Sequence, residues 1–311
     1  LGEIGLFALR APESAGGVGL GLPEAVLVFE EAGRALLPGP LVAGHLAGSA
    51  GLVAGAADGS VVVTALEGAW TGGGAPLVEH LRAADAVLVL DEGGEARVLS
   101  PGELPAEPIR SVDPLTPLHR VQHRVHGRNA GGADGAFAEG GAGDAGGAVG
   151  EGGAGGAVGT SAGGGTDAAA LRRDAALLTA AQQLGSACRT LELAVGYARE
   201  REQFGRPIGA FQAVQQLCAG MLVRSETARS VVYAAAVTAD EGEVCAAKLL
   251  ADTAAVHNAR DCLQVHGGMG FTWEAEVHLH LKRAWLRSEQ WRTAVTSEEQ
   301  LASALVRPIC H

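Results

Sequence analysis

The sequence predicts a mainly α chain with a small β domain, closing in a C-terminal four-helix bundle. Three observations carry this. From Asp167 onward apolar residues recur at helical spacing through nearly half of the 311 residues; between about Gly51 and Val121 the pattern turns to short β-branched runs; and a tract of glycine and alanine separates the two. The boundaries that follow are a partial N-terminal helical domain over 1–50, a reduced β domain over 51–126, a Gly/Ala-rich insert over 127–165 and a helical bundle domain over 166–311.

In the first segment, L-G-E-I-G-L-F-A-L-R and P-E-S-A-G-G-V-G-L-G flank a glycine turn, and Ala25, Val28, Phe29, Ala32 and Leu36 then mark a helix over Glu24 to Leu37, stopped by Pro38 and Pro40. Gly16, Gly17, Gly19 and Gly21 follow no β-branched strand and lack the G-x-G-x-x-G spacing, so they are read as a turn, not a phosphate loop. Val61 to Val63 and Ala86 to Leu90 are buried strand runs, bounded by Gly and Pro clusters. The glycine-rich tract cannot bury enough apolar surface to offset its ordering entropy and is expected to be a mobile linker. Within it Gly159-Thr160-Ser161-Ala162-Gly163 matches G-x-S-x-G, but that nucleophile elbow needs a strand before it and an oxyanion loop earlier in the chain, whereas a flexible tract precedes it and His266-Gly267-Gly268 comes later.

Four stripes then predict four helices. One runs from Leu171 through Leu184 and Cys188 to Ala198, one from Phe211 through Met221 to Ala235, one over Val244 to Val265 and one over Glu276 to Arg287. Their short joints argue for an antiparallel bundle.

Charge and cysteine usage narrow the function. A net charge of −12 and a pI near 5.3 argue against nucleic acid or an anionic membrane surface as partner. With 47% hydrophobic residues and a mean hydropathy of +0.17 the chain can build a sizeable core, yet no apolar run reaches the roughly 20 residues of a membrane span. Cys188, Cys218, Cys245, Cys262 and Cys310 form no C-x-x-C pair and sit mostly in apolar stripes, as small core residues in a reducing compartment do. No metal site is expected. A cytoplasmic protein without a signal peptide is the expectation, and because the chain opens inside a pattern without Met, a trimmed start is expected too.

The stretch richest in chemistry is Y-A-R-E-R-E-Q-F-G-R-P-I-G-A-F-Q-A-V-Q-Q-L-C-A-G-M, Tyr197 to Met221. Gly205 and Pro207 break a helix there, leaving Arg201, Gln203, Phe204, Arg206 and Gln212 crowded at a turn. Cationic forks, amides and an aromatic ring together suit an anionic, planar, partly apolar ligand such as a dinucleotide. Downstream, Gln264 precedes the backbone of Gly267-Gly268, where no Cβ obstructs a close approach.

The ordered pair R-E-Q-F-G-R-P-I-G-x-F-Q-A-V-Q and Q-V-H-G-G-M-G-F-T-W-E resembles the C-terminal domain of the acyl-CoA dehydrogenase family, particularly its actinobacterial branch. P-E-x-x-G-G-x-G-L near the start is similar to the family's N-terminal domain, and A-L-E-G at Ala65 to Gly68 looks like a remnant of its A-L-T-E-P strand. The resemblance implies an α-β-α acyl-CoA dehydrogenase-like fold and FAD, held by Arg201, Gln203, Phe204 and Gln212 from one subunit and by Gln264, Gly267 and Gly268 from another. It also implies an acyl-CoA thioester substrate, a homo- or hetero-oligomer with other dehydrogenase subunits, and an electron-transfer flavoprotein as acceptor. Departures stand out. The T-E-P-x-x-G-S and W-x-T segments that cover the flavin are not intact, and Trp70 and Thr71 are adjacent at the wrong place.

In this family a carboxylate removes the α-proton while hydride leaves the β-carbon. Of the two positions it takes, one counts to Thr253, with Asp252 beside it. The other, the Glu of a Y-E-G-T loop after the last K/R-R-A helix, counts to Trp291, two places from Glu289. Asp252 and Glu289 are therefore the candidates for the base, each expected to be a solvated surface carboxylate. Glu274, in F-T-W-E, is expected at a helix start and takes no catalytic role. Two functions follow: a FAD-dependent dehydrogenase subunit, or a non-catalytic partner that completes the FAD site of a catalytic paralogue. Steroid side chains, branched short acyls and carrier-bound acyls all fit as substrates.

Overall fold

Proline and a Glu24 side chain that reaches back to the N-cap start the first helix, α1 (Leu22–Arg34), in a computed structural model that describes residues 1–67, 75–91, 94–122 and 167–306. Gly21 N–H donates to Glu24 Oε2 at 2.9 Å, and Pro23 occupies the first turn, where its missing N–H is not needed. The helix ends at Arg34, earlier than the predicted Leu37. Leu36 turns left-handed at φ 49°, which sends the Leu37 N–H back to Ala32 O at 3.0 Å; Pro38 lies beyond the stop rather than making it. A second helix, α2 (Leu41–Ser49), was not expected. It is buried from Leu41 to Gly48, so it shows no amphipathic stripe to read.

The β region holds β1 (Val63–Glu67), β2 (Leu77–Glu79), β3 (Ala86–Leu90), β4 (Arg97–Leu99), β5 (Ala106–Ile109) and β6 (Leu118–Val121), arranged as two three-stranded sheets in the orders β1-β3-β4 and β2-β6-β5. β1 runs parallel to β3 with Val63 opposite Ala86 and Glu67 opposite Leu90. All five residues of β3 are buried, as its unbroken apolar run requires. Trp70 and Thr71, the glycine-rich insert with its G-x-S-x-G match, and Cys310 lie outside the described residues.

The bundle follows: α3 (Ala168–Glu200), a small hairpin of β7 (Glu202–Gln203) and β8 (Arg206–Pro207), then α4 (Gln212–Thr238), α5 (Glu241–His266), α6 (Val277–Ser288) and α7 (Ala294–Val306). Side-chain caps begin two of these helices: Asp167 accepts from Ala169 N–H, and Asp240 from Gly242 and Glu243 N–H. α5 lies at the centre, packed on α3, α4, α6 and α7. Within the described residues no helix is long and apolar enough to cross a membrane, and the described cysteines are free.

The N-terminal helices are joined to the bundle where α1 crosses α3 at two glycines. A Cβ on Gly185 would stand 1.8 Å from Glu30 O, and one on Gly33 2.0 Å from Gln182 O. Backbone meets backbone there, with no flexible atom to yield. Gly185→Ala is expected to lower unfolding free energy by about 1–3 kcal/mol despite alanine's better helix propensity. Gly196→Ala, in the same helix but with nothing near its Cβ, is expected to be neutral or stabilising by up to about 1 kcal/mol. Chemical denaturation of the two variants checks the contrast.

Candidate functional site

The bend after α3 is a two-residue hairpin turn. Phe204 and Gly205 both have positive φ, 54° and 75°, while Gln203 pairs with Arg206; this is the primed turn that suits the twist of two strands. Glycine tolerates it, whereas a bulky residue with positive φ is strained. Phe204 is nonetheless held there with its side chain 91% exposed, edge-on to Phe211 at 6.0 Å between ring centroids. The Arg206 guanidinium lies 4.3 Å from the Phe211 ring. Phe211 precedes α4, a 27-residue helix, without a side-chain cap, and Arg201, Gln203 and Gln212 are all exposed. Such a helix start attracts anions.

The corner after α5 lies at the same end of the bundle. Tyr197, one turn before Arg201, stacks on His266 at 4.2 Å and 20°, and His266 directly precedes Gly267. The His266 Nδ1–H donates to Cys262 O at 2.8 Å, which fixes the ring under Tyr197. Gly267 adopts φ 59°, ψ −136°, a region that only glycine occupies freely. A Cβ on Gly267 or Gly268 would meet nothing within 4 Å, so no packing inside the chain demands the bare backbone of Gly268. Gln264, in the last turn of α5, is exposed. Thus the two groups of residues that the resemblance divides between subunits stand at one end of a single chain. Open donors, an unobstructed backbone and an outward ring fit the phosphate and ribose part of a dinucleotide. No group of three or more metal-ligating side chains occurs among the described residues.

Inside the bundle lies a belt of polar contacts that the apolar stripes had hidden. Asp252 is not a solvated surface carboxylate; it is buried, paired with Lys248 and bonded to Gln183 Nε2 at 2.9 Å. Burial pushes its carboxyl up, and Lys248 and Gln183 draw it back. Lys248 also donates to Arg287 O at 3.0 Å, and Gln183 to Ala284 O at 3.0 Å, so α3, α5 and α6 are tied at one level. Deeper along α3 and α5, Ser186 contacts His280 Nδ1 at 2.8 Å, and Asn258 donates to Ser225 Oγ at 2.9 Å. Glu289 is exposed as expected, and Trp291 is half-buried with φ 63°. Near the Trp291 backbone lies the carboxyl of Glu67, which burial pushes up despite the opposing charges of Arg172, Lys248 and Arg292. Glu274 is exposed ahead of α6 rather than in its first turn; the acid at that helix start is Glu276, which takes Arg189 at 2.8 Å.

Comparison with known proteins now bears on these positions. A family model of the acyl-CoA dehydrogenase C-terminal domain matches residues 168–289, and one of the acyl-CoA dehydrogenase N-terminal domain matches residues 1–83. Acyl-CoA dehydrogenase IpdE2 of Mycobacterium tuberculosis is 30% identical over 91% of this chain and 77% of its own length. The chain belongs to the acyl-CoA dehydrogenase family. Acyl-CoA dehydrogenase FadE34 of the same organism is 32% identical over 91% of this chain, which spans 38% of that longer protein. Among solved structures, the ChsE4-ChsE5 complex from M. tuberculosis aligns over 99% of this chain and 86% of that one with a TM-score of 0.74 at 24% identity. Butyryl-CoA dehydrogenase from Megasphaera elsdenii aligns over 98% and 88% with a TM-score of 0.71 at 18% identity. These two likenesses establish the acyl-CoA dehydrogenase fold.

Within that family frame, Thr253 is an exposed α5 residue, and its neighbour Asp252 points about 100° away around the helix, into the ion pair. The sequence reading passed over Lys248, Gln183, Arg283 and Arg287. Their signal was present: Lys248 and Asp252, and Arg283 and Arg287, are four apart and interrupt otherwise apolar faces.

Proposed function

We propose that this chain is a subunit of a flavin-dependent acyl-CoA dehydrogenase, and that it completes the FAD site of a catalytic partner whose carboxylate takes the α-proton of an acyl-CoA thioester. The observation that carries the reading is the loss of both base positions. Thr253 bears no carboxylate, Trp291 replaces the other, and the nearest acid, Asp252, is held by Lys248. The exposed bend and corner supply what remains useful to a nucleotide: Arg201, Gln203, Gln212 and Gln264 as donors, Phe204 as a flat apolar surface, and Gly267-Gly268 as an open backbone. FAD held by these residues would supply a hydride acceptor for the substrate β-carbon, and the family resemblance implies an electron-transfer flavoprotein as the onward electron acceptor. That a structural neighbour is a complex of two differently named chains supports a heteromer.

The test is visible flavin absorbance of the purified chain, alone and co-expressed with candidate dehydrogenase subunits. Arg201→Ala is expected to weaken FAD binding by about 10- to 100-fold, the loss of one charge-assisted hydrogen bond of roughly 1.5–3 kcal/mol, without changing thermal stability, since the side chain is exposed. Unchanged flavin retention would count against the site.

A second reading, a self-sufficient dehydrogenase, is favoured by one feature. Glu67 places a half-buried carboxyl, pushed up by burial, near the backbone of Trp291. Turnover of an acyl-CoA by the chain alone, abolished in Glu67→Gln, would select it.

A further inference from the structure

α6, α3, β2 and the turn before β6 meet around two arginines. Arg283 and Arg287 are each 4% exposed. Arg283 commits Nε to Asp113 and Nη1 to Leu37 O at 3.2 Å, but its Nη2 has no acceptor, and neither has Arg287 Nη1. Arg287 forms no salt bridge with any described residue. Both side chains line a cavity of about 20 Å³, together with Glu79, Thr116, Gln182 and Gln290. Gln290 Nε2 donates to Glu79 Oε2 at 3.0 Å. Burial, and then the charge of Arg283, bring Arg287 down to about 9, as expected of a cation with no acceptor on Nη1 in low dielectric.

We propose that this cavity is a built site for one ordered water, which accepts from Arg283 Nη2 and Arg287 Nη1 and donates to the Glu79 carboxyl. Its volume exceeds the roughly 10–15 Å³ that one water requires. The charge balance selects water over a halide. Two guanidinium groups face two carboxyls, Asp113 and Glu79, so a neutral molecule with both donors and acceptors satisfies the orphaned groups, whereas a halide would sit against Glu79. The water would link the bundle to the β domain and, through Arg283, to the segment after α1. By bridging Arg287 to Glu79, and hence to Gln290, it would also hold the turn that carries Trp291.

Crystals of the full chain test this. A single solvent peak within hydrogen-bond distance of both Nη groups is expected, present in Glu79→Gln, which keeps an acceptor, and lost in Arg287→Met. Soaking in bromide is expected to leave no anomalous signal at the site. An anomalous peak there, a direct contact between Arg287 and Glu79 that closes the cavity, or density absent from the wild type would each overturn the proposal.

Discussion

Lys248→Met is expected to lower unfolding free energy by about 3–5 kcal/mol, because it leaves the Asp252 carboxylate buried beside Gln183 alone. Lys248 is 1% exposed and Asp252 8%, so water cannot replace the lost partner. The urea midpoint should fall with little change in slope. Replacing both members by apolar groups, Lys248→Met with Asp252→Leu, is expected to recover most of the loss, since a buried pair contributes little net stability over a packed apolar one. A single variant within about 1 kcal/mol of wild type would mean that the pair is hydrated in solution, and Asp252 would return as a candidate base.

Acidification is expected to weaken the fold through two buried histidines. Burial, followed by the charges of Arg189, Arg287 and Arg283, pushes His280 down to about 3. Burial likewise pushes His45 to about 4, against the hydrogen bond to Leu6 O. Both are depressed from 6.5, so below that pH the unfolded chain binds protons that the native chain refuses. Stability is therefore complete above pH 6.5 and falls as pH drops toward the folded values, by about 1.4 kcal/mol per pH unit for each histidine. Glu67 and Glu79, raised by burial, act in the opposite sense above the usual carboxylate range. Comparison with His280→Asn removes their contribution: between pH 6 and about 4.5 the variant should show a slope smaller by roughly one proton. An equal slope in both proteins would show that His280 is charged or exposed in the native state.

The fold was legible where periodicity met a boundary signal. α3, α4, α5 and α6 follow the four apolar stripes, and β3 coincides with the run Ala86 to Leu90. α2 was illegible because a helix buried on every side has no polar face to contrast with. The bend was read as a turn, yet the positive φ of Phe204 depends on the hairpin pairing of Gln203 with Arg206, which a residue string does not display. Asp252 was misplaced for a related reason. Its partners Gln183 and Lys248 lie on two helices, and only packing shows that both face inward. The candidate nucleotide corner was visible in residue types; that Tyr197 and His266 bring its two halves to one end of a single chain was not.

Flavin stoichiometry in a reconstituted complex tests the central claim most directly. Purified chain mixed with a dehydrogenase subunit that carries its own catalytic carboxylate should retain FAD and turn over acyl-CoA. Both should be lost when Arg201→Ala and Gly268→Val are introduced here, while this chain alone does neither. A chain that by itself holds one FAD and oxidises an acyl-CoA, or a complex indifferent to those two substitutions, would contradict the account.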